Sequence, residues 1–128
     1  MDWLNSVSLS LMNKSLDGTW AQQQAISDNI ANYETPGYKR KYVSFEDELK
    51  QVLDQTNKKK SQVVNDIKQQ KIVLGVADDE TSRADGNNVN IDYENIQLAR
   101  SQLQYRAVSQ QLSAHFSRLR SAISSGAK

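Results

Sequence analysis

A heptad repeat of apolar residues near the C terminus constrains the fold of this chain most strongly. Apolar residues recur at every seventh position over four consecutive intervals, at Ile91, Leu98, Tyr105, Leu112 and Leu119. In the second half, a three-four spacing is completed by Val108, Phe116 and Ile123. This spacing places the side chains along one face of a helix and is typical of a coiled-coil seam. We therefore predict a long helix over residues 91–125 that packs on another helix.

The first half of this helix carries a second, neighbouring apolar stripe. Ile96, Ala99 and Leu103 form it, and the heptad series is looser there. Two adjacent stripes indicate a helix that contacts more than one partner.

The boundaries of the last helix are marked by polar residues and by glycine. Asn90 or Asp92 is expected to cap its start, with Glu94 in the first turn complementing the helix dipole. Gly126 marks its end.

Residues 1–32 predict a second amphipathic helix. Its apolar residues fall at spacings close to multiples of 3.6, at Leu9, Met12, Leu16, Trp20, Ile26 and Ile30. From about Trp3 to Ala31 it would extend roughly 40 Å at about 1.5 Å per residue. Gly18 in its interior should cost about 1 kcal/mol relative to Ala.

Residues 33–90 change character, starting at the only proline of the chain. Pro36 followed by Gly37 fits positions i+1 and i+2 of a type II turn. Thr35, which precedes the proline, is pushed out of helical geometry. The first helix should therefore end near Asn32, a residue that tolerates a left-handed C-cap.

The rest of this middle segment predicts short elements. Ser44 and Asp47 resemble a capping box, and residues 45–53 show a short apolar helical face. The lysine-rich residues 58–62 read as a solvated linker. Residues 71–77 predict one strand, although the sequence does not clearly supply its partner. The prediction is thus a mainly α fold with a small irregular or partly β middle segment.

Composition excludes several classes of function. The net charge is +1, which argues against binding driven by bulk charge. There are no cysteines, and no apolar run is long enough to span a bilayer. The first residues lack a basic region followed by a continuous apolar region, so we expect no cleavable secretory signal.

No group of residues predicts catalysis or metal binding. His115 is the only histidine, so neither a Ser-His-Asp triad nor a multi-histidine metal site can be completed. Residues 46–48 are three neighbouring carboxylates best explained by capping and solvation. A calcium loop at residues 85–96 lacks its final carboxylate, because Ile96 occupies that position. We expect a protein without catalytic residues, metal or cofactor.

A basic run follows the turn. Residues 39–41 are Lys, Arg and Lys, flanked by Tyr38 and Tyr42. This mixture suits single-stranded nucleic acid. The alternative is an extended segment anchored by the turn, whose tyrosines pack on the helices. In a nearly neutral chain the second interpretation is favoured, and no nucleic-acid partner is expected.

A motif around the turn resembles the N-terminal signature of the bacterial flagellar rod and hook proteins. The residues that carry it are Asn29, Ile30, Ala31, Asn32, Thr35, Pro36, Gly37 and Tyr38, followed by Lys39 and Arg40. Residues 85–124 resemble the C-terminal region of the proximal rod proteins of that family. Together the two regions cover about half of the chain.

The resemblance implies a structural role. In this family the terminal helices pack as an antiparallel coiled coil, and the subunits assemble helically into the rod that joins the membrane ring to the rest of the axle and transmits motor torque. It implies export through the flagellar type III apparatus without a cleaved signal. The implied partners are further copies of the chain, other rod proteins and the rod-to-ring adaptor protein. Contacts of residues 45–80 are not carried over.

A second hypothesis explains the same helices differently. A cytoplasmic helical adaptor, or a binding module similar to an export chaperone, would also show amphipathic helices and modest charge. Cell fractionation separates the two, since the adaptor stays inside the cell.

Overall fold

The computed structural model describes residues 6–55, 57–78 and 82–127. In chain order the elements are α1 (Val7–Ala31), β1 (Lys41–Ser44), α2 (Glu46–Leu53), α3 (Lys60–Gln69), β2 (Val73–Val76) and α4 (Ile91–Gly126). Among the described residues, no helix combines the length and the apolar character that a membrane span requires.

The two long helices pack against each other in antiparallel orientation. Near one end of the pair, the Asn29 side chain contacts Glu94. Further along, the Ser101 hydroxyl donates to the Thr19 carbonyl at 3.2 Å. As the residue number increases along α4, the number of the contacting residue on α1 decreases, so the two helices are antiparallel. The predicted fold class is confirmed: a mainly helical chain, with paired terminal helices and a small two-stranded sheet between them.

The seam of α4 differs from the prediction in its first half. The most buried positions there are Glu94 and Ser101, at 0% and 4% exposure. They complete a three-four spacing with the half-buried Ile91 and Leu98. The first half of α4 is therefore as regular a seam as the second half, but every other position in it is polar. Periodicity of apolar residues could not reveal it.

The ends of α1 and α4 are capped by side chains and by the turn. Ser6 accepts a hydrogen bond from the Leu9 amide at 3.1 Å, and Asn90 accepts from the amides of Asp92 and Tyr93. The predicted start at Trp3 lies outside the described residues. Asn32 follows the last residue of α1, where the sequence predicts the helix to end, and its φ of −103° is not the left-handed conformation that asparagine tolerates.

The chain reverses after α1 through a turn centred on glycine. Gly37 adopts φ 73°, and the Tyr38 amide donates to the Thr35 carbonyl at 3.2 Å. These are the features of the predicted type II turn, with Pro36 at i+1. The positive φ lies at Gly37, which adopts it without steric cost, and Asn32 keeps a negative φ.

A second face of α1 is covered by the middle segment. The core there is Phe45, Leu49, Val52 and Ile67, flanked by Val7, Leu11, Val43, Val63 and Ile72. Phe45 packs directly on Gly18, whose missing side chain leaves room for the ring. Lys14 donates to the carbonyls of Lys68 and Gln70, which ties the end of α3 to α1. Helix α1 is thus packed on two sides.

Two predictions for the middle segment are wrong. The cap of α2 is Phe45 without a side-chain hydrogen bond, and Ser44 donates instead to Glu48. Burial of the Phe45 ring sets the chain direction there and overrides the expected capping box of Ser44 with Asp47. The expected linker at 58–62 ends early, because α3 begins at Lys60 and buries Val64 and Ile67.

The predicted strand at 71–77 is confirmed as β2, and its partner is β1. The two strands are antiparallel, with Tyr42 opposite Gly75. The Tyr42 ring occupies the space that a side chain on residue 75 would need. The partner strand has only four residues and begins at Lys41, within the basic run, so its pattern is too short to be recognised from the sequence.

Candidate functional site

The motif residue Asn29 organises the junction between the helix pair and the sheet. Its side chain is fully buried. The amide nitrogen donates to the Lys41 carbonyl at 2.8 Å and to Glu94 Oε2 at 3.2 Å. The amide oxygen accepts from the Lys41 amide at 2.8 Å and from the Tyr38 hydroxyl at 3.2 Å. One side chain thereby holds α1, β1 and α4 together.

A buried ion pair completes this junction. Arg40 Nε lies 2.6 Å from Glu94 Oε1, and the two side chains are 13% and 0% exposed. The Arg40 guanidinium also lies over the Tyr93 ring, 4.7 Å from its centroid. Because a buried carboxylate is costly when unpaired, the arginine and Asn29 together make the burial of Glu94 tolerable.

Asn88 joins the sheet to the same group. The Arg40 amide donates to Asn88 Oδ1 at 2.6 Å, and Asn88 Nδ2 donates to the Ala77 carbonyl. The Ala77 amide in turn donates to the Arg40 carbonyl at 2.9 Å. We call Asn29, Tyr38, Arg40, Asn88 and Glu94 the junction network.

Asn87 fixes the turn in a similar way. Its side-chain nitrogen donates to three carbonyls, those of Asn32, Tyr33 and Thr35, at 2.9 to 3.0 Å. Its oxygen accepts from the Val89 amide at 2.8 Å. The turn after α1 is therefore held by the segment that precedes α4.

Burial in the junction network changes the pKa of the Tyr38 hydroxyl. Desolvation raises the pKa of the Tyr38 hydroxyl above its ordinary value of 10.0, while the nearby Lys41 ammonium acts in the opposite direction. The hydroxyl therefore stays a hydrogen-bond donor to Asn29 throughout the physiological range.

The basic run does not form a single exposed patch. Lys39 donates to the Ser82 hydroxyl at 2.8 Å, Arg40 pairs with Glu94, and Lys41 lies 3.4 Å from Asp28. The described part of the chain holds no group of three or more acidic or histidine residues that could bind a metal ion.

Comparison with known proteins identifies the family. The family model described as "Flagella basal body rod protein" matches residues 19–39, which include Asn29 and the turn. The flagellar basal body rod protein FlgB of Borrelia hermsii is 33% identical, over 86% of this chain and 90% of its own length. The chain belongs to the FlgB family of flagellar basal body rod proteins. The resemblance drawn from the sequence is thus confirmed.

Other FlgB proteins match along almost the whole chain. FlgB of Bacillus subtilis is 28% identical over 96% of this chain and 98% of its own length. FlgB of Escherichia coli K12 is 29% identical over 93% and 94%. The similarity to FlgB proteins therefore includes the middle segment as well as the two terminal helices. Rod proteins are structural components of the flagellar basal body, and this chain shares that structural class.

The rod-protein motif divides into buried and exposed residues. Asn29 is buried, while Ile30, Asn32 and Tyr38 are half-buried. The remaining motif residues, Ala31, Thr35, Pro36 and Gly37, are exposed. The motif thus combines a buried polar anchor with a surface turn.

The predicted seam residues also vary in burial. Leu9 and Ile26 are buried, and the half-buried ones are Met12, Leu16, Ile30, Ile91, Leu98, Val108, Leu112 and Leu119. Four are exposed: Trp20, Tyr105, Phe116 and Ile123. The helix pair therefore encloses only part of the predicted stripe.

Sequence reasoning missed four side chains of the site. From the sequence, Glu94 is expected only to complement the helix dipole and Arg40 only belongs to the basic run. Asn87 falls in the incomplete calcium loop, and Asn88 is not singled out. The one available signal was the cluster of asparagines before α4, because asparagine often bonds to backbone in turns.

Proposed function

We propose that this chain is a subunit of the proximal rod and polymerises through its terminal helices. The observation that carries the proposal is the set of large apolar side chains on α1 and α4 that remain exposed after the helices have paired. Trp20 is 58% exposed, Ile96 65% and Leu103 66%. Apolar surface of this kind on a helix pair favours further helix contacts.

The junction network supports a role in transmitting motor torque. Transmission of torque requires that the middle segment and the terminal helices of a subunit do not move against each other. Asn29 and the Arg40–Glu94 pair connect these parts through buried hydrogen bonds. Buried and satisfied polar networks hold one arrangement rigidly, so the two parts would move as one body.

The proposed partners are other copies of the chain, other flagellar rod proteins and the rod-to-ring adaptor of the basal body. The proposed location is the flagellar basal body in the cell envelope, reached through the type III export apparatus without a cleaved signal peptide. Polymerisation must then follow export. Terminal helices that are marginal alone and gain stability on assembly would meet this requirement.

Deletion and complementation test the proposal. We expect a strain lacking the gene to form no rod and not to swim, and a tagged copy to restore swimming and to co-purify with basal bodies. Normal flagella in the deletion strain would refute it. If the tagged protein stays in the cytoplasm while swimming is restored, the adaptor hypothesis is favoured instead.

A further inference from the structure

Each terminal helix presents a continuous outer face of exposed residues. The middle segment borders both faces, since Lys68 shares a surface groove with Asn13 and Asp17 on α1, and β1 shares one with Arg100 on α4. On α1 this outer face consists of Asn13, Asp17, Trp20, Gln24, Ser27 and Ala31, which are all exposed and three or four residues apart. On α4 it consists of Ile96, Ala99, Arg100, Leu103, Arg106 and Ala107, which are also exposed. Each face carries at least one large apolar side chain more than half exposed.

The two outer faces carry opposite charge. The charged member of the α1 face is Asp17, since Lys14 is directed to the carbonyls of Lys68 and Gln70. The α4 face carries Arg100 and Arg106, and the sequence contains no acidic residue after Glu94. An acidic face with an exposed tryptophan therefore complements a basic face with exposed aliphatic residues.

The apolar and charged residues of the two outer faces also lie at matching positions along the axis of the helix pair. The contacts of Asn29 with Glu94 and of Gln23 with Ser101 set the level of one helix against the other. By that alignment Trp20 lies within about one helical turn, roughly 5 Å, of the level of Leu103. Asp17 and Arg106 share a level in the same way, because each lies three residues further towards the same end.

From these observations we infer that the α1 outer face of one copy packs on the α4 outer face of a second copy beside it. Trp20 contacts Leu103 of the neighbour, and Asp17 pairs with Arg106 of the neighbour. The inference rests on the proposed function and adds to it the two surfaces and their polarity. Since the faces differ, the contact repeats without closing a pair, as a helical filament requires.

Symmetric contacts between like faces are disfavoured by the same charges. Two α4 faces would bring Arg100 and Arg106 against their own copies, and two α1 faces would oppose Asp17 to itself. Like charges juxtaposed at an interface cost several kcal/mol. The charge pattern thus selects the unlike pairing.

Site-specific disulfide cross-linking tests the pairing. The sequence contains no cysteine, so only the introduced cysteines of this chain can form a disulfide between copies. Gln24→Cys lies on the α1 outer face and Ala99→Cys on the α4 outer face, at the same level. Cells would produce both variants with different tags, and purified basal bodies would be oxidised. We expect a cross-linked dimer carrying both tags, and none when either variant is present alone.

The control pairs Ala99→Cys with Gln51→Cys, an exposed position on α2, and should give no dimer. A dimer from one variant alone would overturn the unlike pairing. Basal bodies that contain both variants but yield no mixed dimer would overturn the inference while leaving the rod function intact. Absence of the wild-type chain from basal bodies would instead refute the proposed function.

Charge reversal identifies the occupant as a second copy. Asp17→Arg and Arg106→Asp should each reduce the amount of chain in basal bodies about tenfold, as expected for a repulsion of about 1.4 kcal/mol. The double variant should recover most of the loss, because both members of each contact are then reversed. If the single variants are impaired and the double variant is not rescued, the partner is another protein and the inference is wrong.

Discussion

Phe45 lies so close to Gly18 that a β-carbon on residue 18 would stand 2.6 Å from the ring. Phe45 is also one of the most buried large side chains among the described residues, at 1% exposure. The glycine that looks like a defect in α1 is therefore the position where the middle segment enters the core. Its cost to the helix is offset by the packing of an aromatic ring.

We expect Gly18→Ala to destabilise the chain, although alanine favours a helix by about 1 kcal/mol. Overpacking costs about 1–3 kcal/mol, so the net loss should be as much as about 2 kcal/mol in urea unfolding followed by circular dichroism. Gly126→Ala is the matched control, because nothing lies within 4 Å of that position. Equal stability of both variants would contradict the packing argument.

Glu94→Gln should weaken the fold by about 2–4 kcal/mol, because it removes the buried carboxylate that pairs with the Arg40 guanidinium. Asp92→Asn removes an exposed carboxylate from the same helical turn and should change stability by about 0.5 kcal/mol or less. The free energy of unfolding is the measurement. Adding Arg40→Met to Glu94→Gln should recover part of the loss. A double variant weaker than the single one would show that the ion pair is not the cause.

Asn87→Asp should loosen the turn after α1. The substitution replaces the donor to the carbonyls of Asn32, Tyr33 and Thr35 with an acceptor oxygen, so we expect a loss of about 2–3 kcal/mol. Faster proteolysis within residues 32–38 would report the local effect. Asn13→Asp, at an exposed position on α1, serves as the control. Equal cleavage of the two variants would argue against the role of Asn87.

Tyr38 should make stability fall at high pH. Burial raises its pKa, so above pH 10.0 the folded chain holds this proton while the unfolded chain releases it. The stability it contributes is therefore complete below pH 10.0 and is lost as the pH rises through the folded pKa. In Tyr38→Phe the hydroxyl is absent, so the variant does not lose stability through this titration, and it also lacks the hydrogen bond to Asn29. The free-energy advantage of the wild type over the variant should shrink above that pH, and a constant advantage would contradict the prediction.

Leu112→Asp should block incorporation into basal bodies, because it places a charge on the half-buried seam of α4. Gln111→Asp introduces the same charge at the neighbouring exposed position, and this variant should still be incorporated into basal bodies. Immunoblotting of purified basal bodies gives the measurement. Leu119→Asp is expected to behave like Leu112→Asp. Normal incorporation of both leucine variants would mean that the seam does not contribute to assembly.

The sequence carried enough information for the long elements. The heptad of α4, the end of α1 near Asn32 and the turn at Pro36–Gly37 all depend on local geometry, which side-chain type and spacing report directly. The small two-stranded sheet and α3 were harder to predict, because β1 has four residues and α3 begins within a lysine-rich run. Their stability comes from packing on α1, and a local pattern does not record it.

The sequence by itself determined that two long amphipathic helices flank a middle segment, and that the turn after the first helix carries the motif of the flagellar rod and hook proteins. Only the tertiary structure decided what the polar residues do. Asn29 and Glu94 lie 65 positions apart, and their burial follows from the antiparallel packing that brings α1 and α4 together. A buried polar side chain is stable only with its partners in place, and those partners are supplied by the fold rather than by sequence neighbours.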